Sequence, residues 1–191
     1  MIQIIMFLKL NKWAHRHSDK FPKFISKIFL LQDYQFELRV ADLDDIKHLI
    51  AIEEAVYLGQ APWTTDDFYN EIIRYDVRLY LIIKKNQQVI GFVGAAYQRP
   101  TQDIHITNIA ILPIWQNKGL GTILLHEIIK VAKRMHVQTL SLEARKSNNL
   151  AVALYERLGF KKVGIKSRYY LDNREDAISM EKKVEYPKSR H

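Results

Sequence analysis

The chain of 191 residues contains no cysteine, which excludes disulfide bonds, thiolate metal ligands and a cysteine nucleophile. It also lacks an apolar run that could span a bilayer, because the apolar stretch at residues 1–8 is too short. Basic residues follow that stretch and no small-residue cleavage site appears, so we do not expect a signal peptide. The remaining composition, 48% hydrophobic and 26% charged, is typical of one α/β domain.

The net charge of +8 and the pI of about 9.5 first suggest a nucleic-acid or anionic-membrane partner. The charge is unevenly distributed: residues 1–35 carry +4, residues 36–76 carry −7, residues 77–180 carry +9 and residues 181–191 carry +2. Such polarity suits an enzyme that binds an anionic cofactor at one end and a cationic substrate at the other, although an uneven solvated surface gives the same pattern. We therefore expect no direct nucleic-acid binding by the central domain.

From residue 36 onward, hydrophobic periodicity predicts strands and helices in the order βααβββαβαββ. The predicted strands are residues 36–40, 79–84, 89–97, 104–112, 137–142, 160–169 and 176–182. The predicted helices begin near Asp42 or Asp44, Thr64 or Thr65, Gly119 and Asn148. This order predicts an α/β fold with a mixed central sheet and helices on both faces.

Residues 21–29 carry apolar side chains at helical spacing, with lysines on another face. The pattern predicts a short basic amphipathic helix, which either lies on a membrane or ribosome surface or packs back onto the domain. We therefore divide the chain into a basic, partly amphipathic extension (residues 1–35), a central domain (residues 36–183) and a basic C-terminal tail (residues 184–191).

A glycine-containing loop, residues 116–122, lies between a predicted strand and the predicted long helix. Free N–H groups and the dipole at the helix start favour an anion there, Gly119 and Gly121 allow close backbone approach, and Lys118 adds a positive charge. The loop is neither a Walker A motif nor a dinucleotide fingerprint, since the required glycine spacings are absent. It predicts a site for a pyrophosphate, although a simple helix start has the same pattern.

Several motifs, in order along the chain, resemble those of the GNAT N-acetyltransferases. The pattern Gln116-x-x-Gly119-x-Gly121, after a strand ending at Pro113, is similar to their acetyl-CoA loop. Within this superfamily the chain resembles the ribosomal-protein-alanine N-acetyltransferases (the RimI family). The further motifs are Ala61-Pro62-Trp63, Asn108-Ile109-Ala110-Ile111, Leu142-Glu143-Ala144-Arg145, Asn148, residues 153–160, Arg168-Tyr169-Tyr170 and Arg174-Glu175-Asp176-Ala177.

The resemblance implies the GNAT fold over residues 36–183 and acetyl-CoA as the acetyl donor, with no metal. It implies that the acetyl-pantetheine arm lies along the backbone of Ile109, Ala110 and Ile111, in a bulged strand that offers a free N–H to the thioester carbonyl. The pyrophosphate is assigned to Asn117, Lys118, Gly119, Leu120, Gly121 and Thr122. Asn148 is assigned to the pantetheine arm, and it is also a typical helix N-cap; neither role excludes the other.

Because a cysteine acyl-enzyme is impossible, we expect direct attack of the amine on the thioester. The resemblance implies that Glu143 is the general base, directly or through a water, and that Tyr155 protonates the leaving thiolate. We expect partial burial to raise the pKa of Glu143. The structural alternatives are a glutamate paired with arginine or solvent, and a tyrosine packed in the core.

An N-terminal α-amine has a pKa of about 7.7–8.0, against about 10.4 for lysine, so more of it is neutral at pH 7. The acidic residues 36–76 would attract a cationic peptide end, and Trp63, Tyr169 and Tyr170 are expected to line its slot unless they serve only in packing.

We therefore predict a cytoplasmic N-α-acetyltransferase which, by resemblance, acts on the N-terminal alanine of a small-subunit ribosomal protein. One alternative is the same fold acting on lysine or small-molecule amines. The other is a ribosome- or membrane-binding adaptor built on a degenerate acetyltransferase domain.

Overall fold

The computed structural model describes residues 20–59 and 61–186, which form strands and helices in alternation. The strands are β1 (Lys27–Leu31), β2 (Tyr34–Val40), β3 (Arg78–Lys85), β4 (Gln88–Gln98), β5 (Asp103–Ile111), β6 (Thr139–Arg145), β7 (Lys161–Lys166) and β8 (Ala177–Lys183). The helices are α1 (Ile46–Val56), α2 (Thr65–Ile72), α3 (Leu120–Met135) and α4 (Asn149–Arg157).

The eight strands belong to one sheet, in the spatial order β1-β2-β3-β4-β5-β6-β8-β7. Neighbouring strands are antiparallel except β5 and β6, which are parallel and are joined by a crossover through α3. The predicted mixed sheet with helices on both faces is confirmed, and the elements after residue 36 occur in the predicted order.

Each face of the sheet has its own hydrophobic core. The core beneath α1 and α2 contains Ile46, Leu49, Ile52, Phe68, Tyr80, Ile82 and Phe92. The larger core beneath α3 and α4 includes Leu124, Ile128, Val131, Leu140, Leu142, Val152 and Phe160. Full burial of each large apolar side chain contributes about 1.5–3 kcal/mol, so the two cores hold the helices firmly on opposite faces.

The start of α2 is fixed by a capping box. Thr64 Oγ1 accepts the N–H of Asp67 at 3.2 Å, and the Asp67 carboxylate accepts the N–H of Thr64 at 2.8 Å. Trp63 immediately precedes this cap, so the capping box also fixes where the chain enters the candidate site.

The helix predicted over residues 21–29 is wrong, because residues 27–31 form β1. Gln32 and Asp33 both have positive φ and make a tight turn that pairs β1 with β2. Phe29 then stacks on Phe36 at 5.4 Å between ring centroids, which is a strand contact rather than a helical one. Cross-strand pairing therefore outweighs the helical spacing of the apolar residues.

The predicted boundaries at residues 36 and 184 cut through packed structure. Phe21 is buried in the larger core, and β1 extends the sheet before residue 36. At the other end Val184 is buried, and the Tyr186 hydroxyl donates to the Val137 carbonyl at 2.6 Å. Residues 1–19 and 187–191 lie outside the described residues, so the basic tails stay a prediction. Within the described ranges, no helix has the length and apolarity needed to cross a membrane.

Candidate active site

The sheet opens between its two parallel strands. β5 and β6 pair only from Asp103↔Thr139 to Ile106↔Leu142, and their remaining residues separate. The opening forms a cleft of about 920 Å³ lined by both strands, α1, the start of α3, and α4.

A β-bulge lies where the two strands separate. Gly94 is opposite Asn108 and Ala95 is opposite Ile106, so Thr107 is the extra residue on β5. A Cβ on Gly94 would lie 2.3 Å from Asn108 Oδ1, so the close approach of β4 to the bulge requires glycine. The expected bulge is thus present, at Thr107, two residues before the predicted pantetheine-binding segment begins at Ile109.

The bulge determines which backbone groups face the cleft. The Leu112 N–H donates to the Ile90 carbonyl at 2.9 Å, so alternate residues of β5, including Ala110, direct their backbone groups to β4. Ile109 and Ile111 direct theirs toward the opening. Gln116 Nε2 donates to the Ile111 carbonyl at 2.9 Å. Ala110 lines the cleft, but its backbone groups are turned toward β4, which limits its predicted role.

The predicted pyrophosphate loop lies at one end of this cleft. Asn117 and Gly119 have positive φ, and they turn the chain so that α3 begins at Leu120. The N–H of Ile123 is bonded to the Gly119 carbonyl, which leaves the N–H groups before it aimed out of the helix start. This set of donors fits a pyrophosphate.

The lining residues from this loop are Gln116, Asn117, Gly119, Leu120, Gly121 and Thr122. Lys118 is not among them, so its predicted phosphate contact gains no support from the geometry.

Asn148 and Tyr155 enter the cleft from the α4 side. The Asn148 side chain accepts the N–H of Ala151 at 3.1 Å, so its N-cap role is confirmed. Tyr155 is buried, with its ring edge-on to Phe160, and burial raises the pKa of its hydroxyl. A phenol of this kind stays protonated at neutral pH and can donate a proton.

Glu143 lines the cleft from β6, and it is ion-paired there. Its carboxylate lies 3.2 Å from His105 Nε2 and 2.8 Å from Lys166 Nζ. These contacts, led by the His105 hydrogen bond, outweigh the effect of burial and lower the pKa of Glu143 to about 2. The predicted rise in the pKa of Glu143 is therefore wrong. The two side chains that lower this pKa come from β5 and β7, which are distant from Glu143 along the chain.

His105 continues a hydrogen-bonded chain away from the cleft. Its Nδ1 lies 2.9 Å from Ser141 Oγ, which in turn donates to Asp103 at 2.5 Å. Asp103 is buried, and this burial raises its pKa. We did not predict these partners of Glu143 from sequence. The alternation of polar and apolar residues along β5 and β6 is the signal that could have found them.

A second carboxylate in the cleft, Glu53 of α1, was also missed. It is 1% exposed, and it accepts hydrogen bonds from the Trp63 N–H at 3.2 Å and from Asn108 Nδ2 at 3.5 Å. Burial raises its pKa to about 7. Glu53 follows Leu49 by one helical turn and thus lies on the buried face of α1. A charged residue in an apolar helix face is the sequence signal.

The three aromatic residues predicted for the acceptor slot all line the cleft. Trp63 also packs on Phe68, at 5.3 Å between ring centroids, so it has a packing role as well. The Arg145 guanidinium lies 3.9 Å above the ring of Tyr170 and pairs with Asp172 at 2.9 Å. Burial raises the pKa of Tyr170 to about 12. Tyr169 meets Tyr170 edge-on and is more exposed.

Side chains along β5 and β6 point alternately to the two faces of the sheet, so the cleft has two chemically different sides. Leu142 and Ala144 belong to the core beneath α3 and α4, with Ile109 and Ile111 beside them. Glu143 lies between Leu142 and Ala144 in β6 and therefore points to the opposite face. The cleft thus passes through the sheet. Its α3 and α4 side carries the anion-binding helix start and Tyr155, and its α1 side carries the acidic and aromatic residues.

The sheet thus opens beside a helix start suited to an anion, with a tyrosine on one side of the cleft and carboxylates on the other, and these groups can bind an anionic cofactor and transfer protons. Residues 43–160 match the model of the acetyltransferase (GNAT) family. The chain therefore belongs to the GNAT acetyltransferase family, and it is an N-acetyltransferase. Acetyl-CoA is the acetyl donor of this family.

Within the GNAT family, the chain is most usefully compared with the ribosomal-protein-alanine N-acetyltransferases. The chain is 38% identical over 138 residues to the putative ribosomal protein bS18-alanine N-acetyltransferase of Bacillus subtilis, an alignment covering 72% of this chain and 89% of the relative. It is 39% identical over 139 residues to the ribosomal protein bS18-alanine N-acetyltransferase of Haemophilus influenzae, covering 71% and 90%. The crystal structure of the Escherichia coli ribosomal-protein-S18-alanine N-acetyltransferase matches with a TM-score of 0.70 and 29% identity, covering 82% of this chain and 99% of that one. The resemblance to this group is confirmed.

Proposed function

We propose that this enzyme transfers acetyl from acetyl-CoA to the N-terminal alanine of a small-subunit ribosomal protein. The observation that carries the proposal is the cleft through the sheet, which has a helix start suited to an anion on one side and acidic and aromatic residues on the other. The names of the similar enzymes from Bacillus subtilis and Haemophilus influenzae support bS18 as the acceptor.

On the donor side, the backbone groups of Ile109 and Ile111 would hold the pantetheine arm, with Asn148 beside it. The N–H groups at the start of α3 and the residues from Asn117 to Gly119 would hold the pyrophosphate. Acetyl-CoA supplies an activated thioester when bound. A free Ile109 or Ile111 N–H next to the thioester would stabilise negative charge on its oxygen.

Two side chains would handle protons. Tyr155, kept neutral by burial, would give its hydroxyl proton to the departing thiolate. Glu143 is a weak base, with a pKa of about 2, so it suits a proton that has become acidic. We assign to it, directly or through a water, the proton lost from nitrogen as the new bond forms and that nitrogen becomes positively charged.

The acceptor slot would be formed by Trp63, Tyr169 and Tyr170. Aromatic walls suit the small side chain and extended backbone of a peptide end, and acidic groups nearby attract its ammonium. We further propose that the enzyme acts in the cytoplasm. The basic residues within 1–19, which lie outside the described residues, would then contact the ribosome.

The direct test follows CoA release from acetyl-CoA with a thiol reagent, in the presence of a peptide that starts with alanine. The method has no background from the protein, because the chain has no cysteine. We expect turnover with this peptide, mass-spectrometric location of the acetyl group on the α-nitrogen, and a kcat about 10²-fold lower for Tyr155→Phe with unchanged CoA binding.

Control acceptors are the same peptide with a blocked N-terminus and an internal lysine, spermidine, and an aminoglycoside. Turnover on these amines with none on α-amines would overturn the proposed acceptor. An unchanged kcat in Tyr155→Phe would remove this residue as the acid.

A further inference from the structure

We propose that Glu53 binds the incoming α-ammonium group of the acceptor and takes its first proton. This inference rests on the proposed function. Glu53 is a buried carboxylate with no role in the proton transfers proposed above for Glu143 and Tyr155, and the inference assigns it one.

Among the described residues, no cation pairs with Glu53. Its two described hydrogen-bond donors, the Trp63 N–H and Asn108 Nδ2, are both neutral. No lysine, arginine or histidine of residues 20–59 and 61–186 forms an ion pair with it. A buried carboxylate is expected to have a compensating charge. An ammonium group from the acceptor would supply that charge and several N–H donors.

The other ionisable groups around Glu53 are acidic or phenolic. Asp67 of α2 adds negative charge, while Tyr57, which directly follows α1, and Tyr80 of β3 contribute hydroxyls whose pKa values are raised by burial. Across the cleft Glu143 contacts His105 and the Lys166 ammonium, and Arg145 is engaged by the loop after β7. The position is therefore electrostatically prepared for a cation from outside the chain.

Glu53 is also close to the strand that would carry the thioester. Asn108, which it contacts, directly precedes Ile109, whose backbone groups face the opening. The Trp63 N–H ties the same carboxyl group to the predicted acceptor wall. An ammonium held by Glu53 would thus lie between the aromatic slot and the donor strand.

The proton balance is complete without another reactant. The ammonium gives one proton to the Glu53 carboxylate, and the neutral nitrogen attacks the thioester carbon. A C–N bond forms, and the C–S bond breaks with its electron pair on sulfur. The thiolate takes the Tyr155 proton, the second nitrogen proton leaves toward Glu143, and water restores Glu53, Glu143 and Tyr155.

The proton affinities of Glu53 and of an α-amine are close. The pKa of Glu53 is about 7, and that of an α-amine is about 7.7–8.0, so the proton transfer is disfavoured by only about tenfold. Because Glu53 is ionised only above its pKa, we expect the acid limb of kcat/KM to lie near pH 7.

The test compares Glu53→Gln with Glu54→Gln over pH 5.5–9, using an alanine peptide and a lysine peptide. Glu54 is the next residue of α1 and is exposed, so it gives the same change of charge outside the cleft. Glutamine at position 53 keeps an oxygen for the Trp63 N–H. Binding of CoA alone checks that the donor side is intact.

We expect Glu53→Gln to lower kcat/KM for the alanine peptide at pH 7 at least tenfold, to raise KM, and to move the acid limb to the pKa of the amine itself, near pH 8. Both variants should keep the preference for the alanine peptide over the lysine peptide, because the pKa values of the two amines set it, and Glu54→Gln should otherwise behave like the wild type. A profile merely lowered in parallel, with the acid limb unchanged, would show a structural role and overturn the inference. Absence of wild-type turnover on any α-amine would instead overturn the proposed function.

Discussion

Glu53 and Glu143 line the same cleft and are both largely buried, yet their pKa values move in opposite directions. Glu143 meets His105 and Lys166, whereas Glu53 meets a backbone N–H and an amide. Burial alone would raise both values, so the partners decide the sign. The comparison separates a permanently charged group from one that changes its charge near neutral pH. Two carboxylates can therefore serve different steps within one site.

The largest change in rate that would test the difference between Glu53 and Glu143 is expected from Glu143→Gln. If Glu143 takes the proton released during bond formation, kcat falls by about 10²–10⁴-fold, the usual range for a general base. The acid limb near pH 7 should stay in place, because it belongs to Glu53. Steady-state rates over the same pH range as for Glu53→Gln check this. Loss of the limb in Glu143→Gln would reverse the two assignments.

A second prediction concerns stability rather than rate. The folded-state pKa of Glu53, about 7, lies above an unfolded value of about 4.3, so its ionisation destabilises the fold as pH rises between them. The cost is complete above pH 7. Glu53→Gln should thus be more stable than the wild type at pH 8, by roughly 1–3 kcal/mol, and little changed at pH 4.

Urea unfolding at the two pH values measures the free energies directly. Glu143→Gln is the counterpart, since it removes a stabilising charge and should lose stability at pH 8. A Glu53→Gln variant less stable than the wild type at pH 8 would contradict the account of Glu53.

The smallest effect is expected from Lys166→Met. Its ammonium is half exposed and contributes at most about 1 kcal/mol through its pair with Glu143. Because the pKa of Glu143 is lowered, that stability is present above about pH 4.3 and is lost as pH falls toward about 2. The variant should raise this pKa, and acid unfolding should begin at a slightly higher pH. The matched control is Lys162→Met. Lys162 lies on β7 like Lys166, and this change removes an exposed ion pair with Glu156 of α4.

The sequence was a good guide where the pattern is local. Period-two strands, helix caps and the Gly119/Gly121 loop predicted the elements after residue 36, and the resemblance brought Glu143, Tyr155 and the aromatic wall to one cleft. It failed at β1, where the apolar spacing of residues 21–29 fits a helix but pairing with β2 decides.

It also failed where partners are distant along the chain. Glu53 meets Asn108 only after α1 packs against β5, and Glu143 meets His105 and Lys166 only once the sheet has formed. Neither the sign of a pKa shift nor the direction of the Ala110 backbone can be obtained from spacing alone.

The short pairing of β5 with β6 has a mechanical consequence. Only four residue pairs join the five-stranded half of the sheet, β1 to β5, to the half formed by β6, β8 and β7. A donor that hydrogen-bonds Ile109 and Ile111 inside the opening would connect the five-stranded part of the sheet to the three-stranded part. Its binding energy would then add to the cohesion of the whole molecule. The gap between β5 and β6 would then be bridged by the cosubstrate itself, so the ligand would complete the sheet that binds it.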